Sequence, residues 1–221
     1  TVEKRMQLFF DYAPALCIHA VQQCLQHTIS AKNITHFITV SCTGLAAPGL
    51  DIVLMKQLNI PSHVHRSSIN FMGCYAAIHA LKQADTICKA NKNAQVLLVD
   101  VELCTLHFQD TYSLENIASS SLFADGAAAV LVNNDIGLYK ITDFYSDIQW
   151  NNVADMAWNI SSTGFQMTLS NYIPNILAEE IEPMLMRSLQ SLSLQKGDIK
   201  HWAIHPGGKK IITEIAKALS L

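Results

Sequence analysis

The feature that most constrains this chain is a regular alternation of short β-rich runs with helical stretches. Residues 34–41, Ile-Thr-His-Phe-Ile-Thr-Val-Ser, alternate and are rich in β-formers, which predicts a strand. Before them, Leu16, Cys17, Ala20, Val21, Cys24 and Leu25 fall at spacings of three and four, which predicts an amphipathic helix over residues 13–31. After them come a turn-rich loop (43–49), a helix (51–58), a strand (64–69) and a long helix opened by Gly73 that runs to about Asn91. Buried-type strands are predicted over 95–101 and 127–132, and a further strand over 138–146. A helix over 173–192 follows, with Pro174 at a tolerated early position and Pro183 expected to kink or break it. A strand over 200–204 ends at His205-Pro206-Gly207-Gly208, and a last helix spans 209–219. Strands that alternate with helices in this way imply an α/β fold with a largely parallel sheet.

Composition narrows the function classes. Only 15% of the 221 residues are charged, against about 25% in an average domain. With a net charge of -3 and no basic run, the chain does not read as a dedicated nucleic-acid binder. It holds no stretch of about 20 apolar residues, and its opening Thr-Val-Glu-Lys-Arg shows no signal peptide. Six cysteines stand at 17, 24, 42, 74, 88 and 104, without CxxC or zinc-finger spacing, which favours a reducing, cytoplasmic setting and no metal. Cys17 and Cys24 read as small core residues. His63 and His65 share one face of an extended segment, but two ligands do not make a metal site.

Three places carry candidate chemistry. Cys74 follows a strand and a short turn at the expected start of an Ala-rich helix, where unpaired N–H groups and the helix dipole would favour a thiolate and lower its pKa. The bland alternative is a buried cysteine at a helix start. His205 ends the predicted strand 200–204, and in open α/β sheets the active crevice lies at the carboxyl ends of strands; a structural or merely exposed histidine is the alternative. Together they suggest a thiolate–imidazolium couple. Phe123, just before the Asp125-Gly126 turn signal, either lines a cavity or is a core aromatic.

Taken together, these segments resemble the chalcone/stilbene synthase family, the type III polyketide synthases. The matching strings are Cys42-Thr-Gly to Pro48-Gly49, Asn70-Phe-Met-Gly-Cys74-Tyr-Ala-Ala, Val101-Glu102-Leu-Cys104, Leu122-Phe123-Ala-Asp125-Gly126-Ala-Ala-Ala, Trp158 to Gly164-Phe-Gln-Met167, and Ile204-His205-Pro-Gly-Gly208. The resemblance implies a thiolase-like fold: αβαβα layers from two similar halves, working as a homodimer. The chain would supply an incomplete copy, with residues 1–135 in the N-terminal half and 136–221 in the C-terminal half.

By the same resemblance, Cys74 would accept an acyl group from a coenzyme A thioester. His205 would keep Cys74 ionised and assist malonyl-CoA decarboxylation, and a Claisen step and cyclisation would follow. Phe123 matches the family's gatekeeper, and Met167 stands where plant members carry a second gatekeeper Phe. Cys42, Cys104 and His107 fall where plant chalcone synthases usually have Thr, and the two cysteines resemble the microbial branch. Thr43 and Trp158 would lie near the cavity, and Lys209 and Lys210 near the CoA tunnel mouth. CoA is the acyl carrier, and no metal or redox cofactor is implied. Ala47-Pro48 matches a family X-Pro near the dimer interface.

The family's catalytic Asn is expected a few tens of residues after His205, beyond Leu221, so the chain reads as truncated and the isolated piece as inactive. The alternatives are a β-ketoacyl-ACP synthase III-like condensing enzyme and a non-catalytic thiolase-fold subunit.

Overall fold

The computed structural model describes residues 1–135, 137–170 and 173–221, without the side chains of Glu115, Asn151, Asn152, Pro174 and Asn175. Contacts divide the chain into two compact units. The first comprises residues 1–110, 123–141 and 160–166, and the second residues 111–122, 142–159 and 167–221.

The first unit is built on a four-stranded sheet. Its strands are β1 (His36–Ser41), β2 (His65–Asn70), β3 (Gln95–Leu103) and β4 (Asp125–Asn133), in the order β2-β1-β3-β4. β1 runs parallel to β2 and β3, with Val40 opposite Asp100, whereas β4 is antiparallel to β3. The sheet is therefore mixed rather than largely parallel. The antiparallel edge also explains why β4 is not a buried strand. Among the described residues it pairs on one side only, and Gly126, Ala128 and Val130 are exposed while Ala127, Ala129 and Leu131 face the core. Asp125-Gly126 opens this strand instead of making a turn.

Helices cover both faces of the two central strands. On one face lie α1 (Val2–Leu25) and α2 (Leu50–Leu58), where Phe9, Ala13, Cys17, Val21 and Leu54 pack on Phe37, Leu97, Val99 and Val101. On the other lies α3 (Ala76–Ala90), whose Ala76, Ala80, Ala84 and Cys88 pack on Ile38, Val40, Val96 and Leu98. Small residues four apart bring this helix close to the sheet. Cys17 is fully buried, as expected of a core cysteine, and Cys24 is half-buried.

α1 starts well before the predicted residue 13, because the Thr1 hydroxyl caps it by accepting the Lys4 N–H, and it ends at Leu25 rather than 31. Pro14 lies inside it. The Ala47–Pro48 peptide bond is cis.

The second unit contains α4 (Leu114–Leu122), α5 (Ile173–Ser191) and α6 (Lys209–Ala218). Ile173 of α5 packs with Ile211, Ile215 and Leu219 in a cluster that Trp202 and Ile204 cover. Pro183 lies inside α5 and does not break it; a proline removes one helical N–H, and packing of Leu177, Ile181 and Leu185 on either side sustains the helix. A two-stranded sheet, β5 (Met156–Ser161) and β6 (Gly164–Leu169), spans the division between the units along the chain.

The predicted strands over 138–146 and 200–204 are not strands in the structure. A strand needs a hydrogen-bonded neighbour, and these segments pair with none among the described residues; Leu138 and Tyr139 are almost fully exposed. Asn171, an asparagine outside the expected catalytic segment, falls outside the described residues, as do the side chains of Asn151 and Asn152.

Candidate active site

The carboxyl ends of β1, β2 and β3 deliver three cysteines toward one carboxylate in the first unit. Cys42 follows β1, Cys74 follows β2, and Cys104 follows β3 at the start of a 3₁₀ turn, Cys104–His107. Burial raises all three thiols, and the charge of Glu102, on β3, adds to each. Its oxygens accept the Cys42 N–H at 2.8 and 3.1 Å and the Thr43 hydroxyl at 2.6 Å. The Thr43 hydroxyl in turn accepts the Leu103 N–H at 2.9 Å. Cys42 Sγ accepts the Gly73 N–H at 3.3 Å, which ties the β1 end to the turn that carries Cys74.

That turn is conformationally demanding. Phe71 has φ +57° and Gly73 φ +80°. A left-handed phenylalanine costs free energy unless its surroundings hold it. Here the Phe71 ring meets Phe165 edge-to-face, with centroids 5.0 Å apart. The turn lifts Cys74 to an exposed position, but not to the helix start that the sequence suggests. α3 begins at Ala76 with Tyr75 at the N-cap position, so Cys74 precedes it. The dipole effect falls off within a turn. Accordingly the Cys74 thiol is raised, not lowered: desolvation dominates, the Glu102 and Asp100 carboxylates add to it, and its own backbone N–H opposes them.

The two carboxyls are themselves displaced. Burial pushes Asp100 up to about 6 and Glu102 up to about 7, the latter against its bonds from Thr43 and Cys42. Asp100 Oδ1 is buried without a hydrogen-bond partner among the described residues. Neither carboxyl is among the sequence candidates, although the signal is present. Asp100 and Glu102 alternate within the otherwise apolar run Gln-Val-Leu-Leu-Val-Asp-Val-Glu-Leu, so both point to one face of a central strand.

His107 and Thr43 are buried, and their polar atoms engage neighbouring backbone and Glu102. His107 Nε2 lies 2.7 Å from the Thr43 carbonyl, and its Nδ1 lies 3.0 Å from the Phe165 N–H. Phe123, half-buried, sits between α4 and β4. Cys42, Thr43, Cys74, Cys104, His107 and Phe123 all belong to the first unit.

His205, Trp158, Met167, Lys209 and Lys210 belong to the second. His205 is exposed in the segment before α6 and its carbonyl accepts the Gly207 N–H at 2.9 Å. Lys209 and Lys210 are the first two residues of α6, both exposed. Trp158 on β5 and Met167 on β6 are half-buried. Among the described residues no group of three or more His, Cys, Asp or Glu could hold a metal ion, and no helix is long and apolar enough to cross a membrane.

Comparison with known proteins decides the family. The family model described as "Chalcone and stilbene synthases, N-terminal domain" matches residues 1–136, more than half the chain. This chain belongs to the chalcone and stilbene synthase family. It is 29% identical, over its whole length, to the "Alpha-pyrone synthesis polyketide synthase-like Pks18" of Mycobacterium tuberculosis, of which it spans 58%. It is also 29% identical to a "Putative chalcone synthase" of Bacillus subtilis, covering 99% of this chain and 64% of that protein.

Among solved structures, the C-terminal type III polyketide synthase domain of the Dictyostelium hybrid Steely1 superposes with a TM-score of 0.89 at 27% identity, covering all of this chain and 64% of that one. PKS-I from the brown alga Ectocarpus siliculosus gives 0.92 at 28%, covering all of this chain and 60% of that one. The described residues thus form part of a thiolase-like fold, with the Gly73-Cys74 turn at the carboxyl end of its parallel strands.

Proposed function

We propose that this chain carries the nucleophile of a type III polyketide synthase-like condensing enzyme. The observation that carries the reading is the placement of Cys74. It is an exposed thiol on a left-handed turn at the strand ends, held to Cys42 through Gly73, in a chain of this family. Its substrates would be CoA thioesters, with malonyl-CoA as extender and CoA itself as the only carrier; no metal or redox cofactor takes part.

The chemistry needs a thiolate. Cys74 Sγ attacks the carbonyl of an acyl-CoA; the C–S bond to CoA breaks, and CoA leaves as a thiolate that takes up a proton. Malonyl-CoA then loses CO2, and the electron pair of the broken C–C bond becomes an acetyl-CoA enolate. The enolate carbon attacks the acyl carbon on Cys74, the Cys74 thiolate leaves, and a β-ketoacyl-CoA one acetyl unit longer results. Repetition and cyclisation follow.

Desolvation makes the thiolate harder to form, and the Glu102 and Asp100 carboxylates add to it. The family resemblance gives His205 the role of offsetting them: it would help to keep Cys74 ionised and donate an N–H to the developing enolate oxygen. Phe123 and Met167 would gate the acyl path, Cys42, Thr43, Cys104, His107 and Trp158 would shape the cavity, and Lys209 and Lys210 would meet CoA phosphates. The working form would be a cytoplasmic homodimer.

The test is turnover by the full-length protein with malonyl-CoA and a series of acyl-CoA starters. Chain-extended product that disappears in Cys74→Ala and in His205→Ala supports the reading. Absence of product with every CoA starter, and product with acyl carrier protein thioesters instead, contradicts it.

A further inference from the structure

The buried histidine at position 107 is held by two hydrogen bonds of opposite sense. Its Nε2 faces a carbonyl, that of Thr43, so Nε2 must carry the proton and donate. Its Nδ1 faces the Phe165 N–H and must accept. Only the neutral Nε2–H tautomer makes both bonds; an imidazolium would set N–H against N–H at Phe165. The His107 ring also stacks on Phe165, with centroids 4.1 Å apart and planes 8° apart.

Phe165 lies beside the tip of the β5–β6 hairpin. Gln109 Nε2 fastens the same place, donating to the His107 and Phe165 carbonyls at 2.8 and 3.2 Å. The Phe165 ring also meets Phe71, which begins the strained turn leading to Cys74. The other end of the His107 contact is Thr43, whose hydroxyl donates to Glu102. One imidazole therefore joins the hairpin tip, the nucleophile turn and the Glu102 cluster. Met167 follows Phe165 by two residues on β6, on the same face of the strand.

We propose that neutral His107 is a latch, a positioning residue whose protonation frees the hairpin tip and alters which acyl chains the site accepts. The statement about acyl chains rests on the function proposed above; the latch itself does not.

The surroundings favour the neutral form. Burial comes first, and the Arg5 guanidinium from α1 adds to it, while the Thr43 carbonyl acts the other way. Arg5 is fixed there by bonds to the Leu106 and Phe108 carbonyls. It packs against Gly164, where a Cβ would lie 2.9 Å from Arg5 Nε. The nearest charged groups of the neighbouring strands are engaged elsewhere: Glu102 of β3 accepts the Thr43 hydroxyl, and Asp125 of β4 accepts the Thr105 N–H. Cys42 and Cys104 are the titratable groups of the adjoining loop and 3₁₀ turn, and residues 163–166 of the hairpin contain none.

The experiment pairs two readouts on the full-length protein, with His107→Phe as the variant that keeps the stacking but not the nitrogens. The first is NMR of 15N-labelled histidine together with hydrogen exchange at the Phe165 amide, followed as pH is lowered. The expected result is a neutral Nε2–H tautomer and a protected Phe165 amide near neutrality. Exchange should accelerate roughly tenfold when His107 protonates, beyond the intrinsic pH trend, and run fast at every pH in the variant. A Phe165 amide equally protected in the variant, or an Nδ1–H tautomer, overturns the latch.

The second readout is the ratio of kcat/KM for a long and a short acyl-CoA starter. It should shift severalfold with pH in the wild type and be pH-independent in the variant; a ratio that follows pH identically in both overturns the link to acyl selection. Failure of both proteins to condense any starter, with the exchange result intact, contradicts the function proposed above and leaves the latch standing.

Discussion

Glu102 takes the backbone N–H of Cys42 on both of its carboxylate oxygens, at 2.8 and 3.1 Å, while its charge adds to the burial that raises the thiols of Cys42, Cys74 and Cys104. The same carboxylate thus fixes the loop after β1 and opposes ionisation of the proposed nucleophile. This double role sets what its removal should do.

Replacing Glu102 with Gln keeps an acceptor for Cys42 and Thr43 and removes the charge. Alkylation of Cys74 by iodoacetamide should then be faster than in the wild type. The gap should open as pH rises through about 7, where the wild-type carboxyl ionises. Peptide mapping of the labelled protein measures it. Equal Cys74 rates at all pH values would contradict the electrostatic link.

The same groups predict a pH dependence of stability. A carboxyl whose folded pKa lies above its unfolded value binds more protons when folded, so stability is fully present below the unfolded value and lost as pH rises through the folded one. For Glu102 that window runs from 4.5 to about 7, and for Asp100 from 3.8 to about 6. Denaturant melts should therefore show the wild type losing stability across this range. Asp100→Asn, which removes the charge from an oxygen buried without a hydrogen-bond partner among the described residues, should gain about 1–2 kcal/mol near pH 8 and almost nothing near pH 4. A variant destabilised alike at both ends would show that Asp100 holds structure by a contact instead.

Gly44 tests the packing beneath the site. A Cβ there would collide with the fully buried Phe9 ring, so α1 can lie against the loop after β1 only because residue 44 has no side chain. Gly44→Ala should cost about 1–3 kcal/mol. The double variant Gly44→Ala/Phe9→Leu should recover part of that loss in the same melts; no recovery would place the strain elsewhere.

These predictions show where the sequence was informative. β1, β3 and the small-residue face of α3 follow from local pattern, because central strands buried on both faces and an Ala-lined helix leave strong periodic signals, while the edge strand β2 is marked by its alternating burial. The Gly73-Cys74 turn and the family motifs were legible for the same reason: short strings with fixed chemistry. Segments 138–146 and 200–204 misled because alternation expresses burial as well as pairing, and pairing depends on a neighbour that no local pattern names. The thiol of Cys74 runs against the local pattern because its shift comes first from desolvation in the folded chain, and then from the Glu102 and Asp100 carboxylates, 28 and 26 positions away in sequence. The latch at His107 was invisible, since its partners Thr43 and Phe165 lie 64 and 58 residues distant.

His205 should be needed for thiolate formation as well as turnover. His205→Gln in the full-length protein should slow Cys74 alkylation near neutral pH by on the order of tenfold or more and leave labelling of Cys24 unchanged. An unchanged Cys74 rate would remove His205 from the role of counter-cation.

The central claim is that Cys74 carries the growing acyl chain. Its most direct measurement is peptide mass spectrometry of the full-length protein after brief exposure to an acyl-CoA starter, before and after addition of malonyl-CoA. The account predicts an acyl adduct on Cys74 alone, absent from Cys74→Ala and discharged by malonyl-CoA with release of an extended product. An adduct on another cysteine, or one on Cys74 that malonyl-CoA leaves in place, would contradict it.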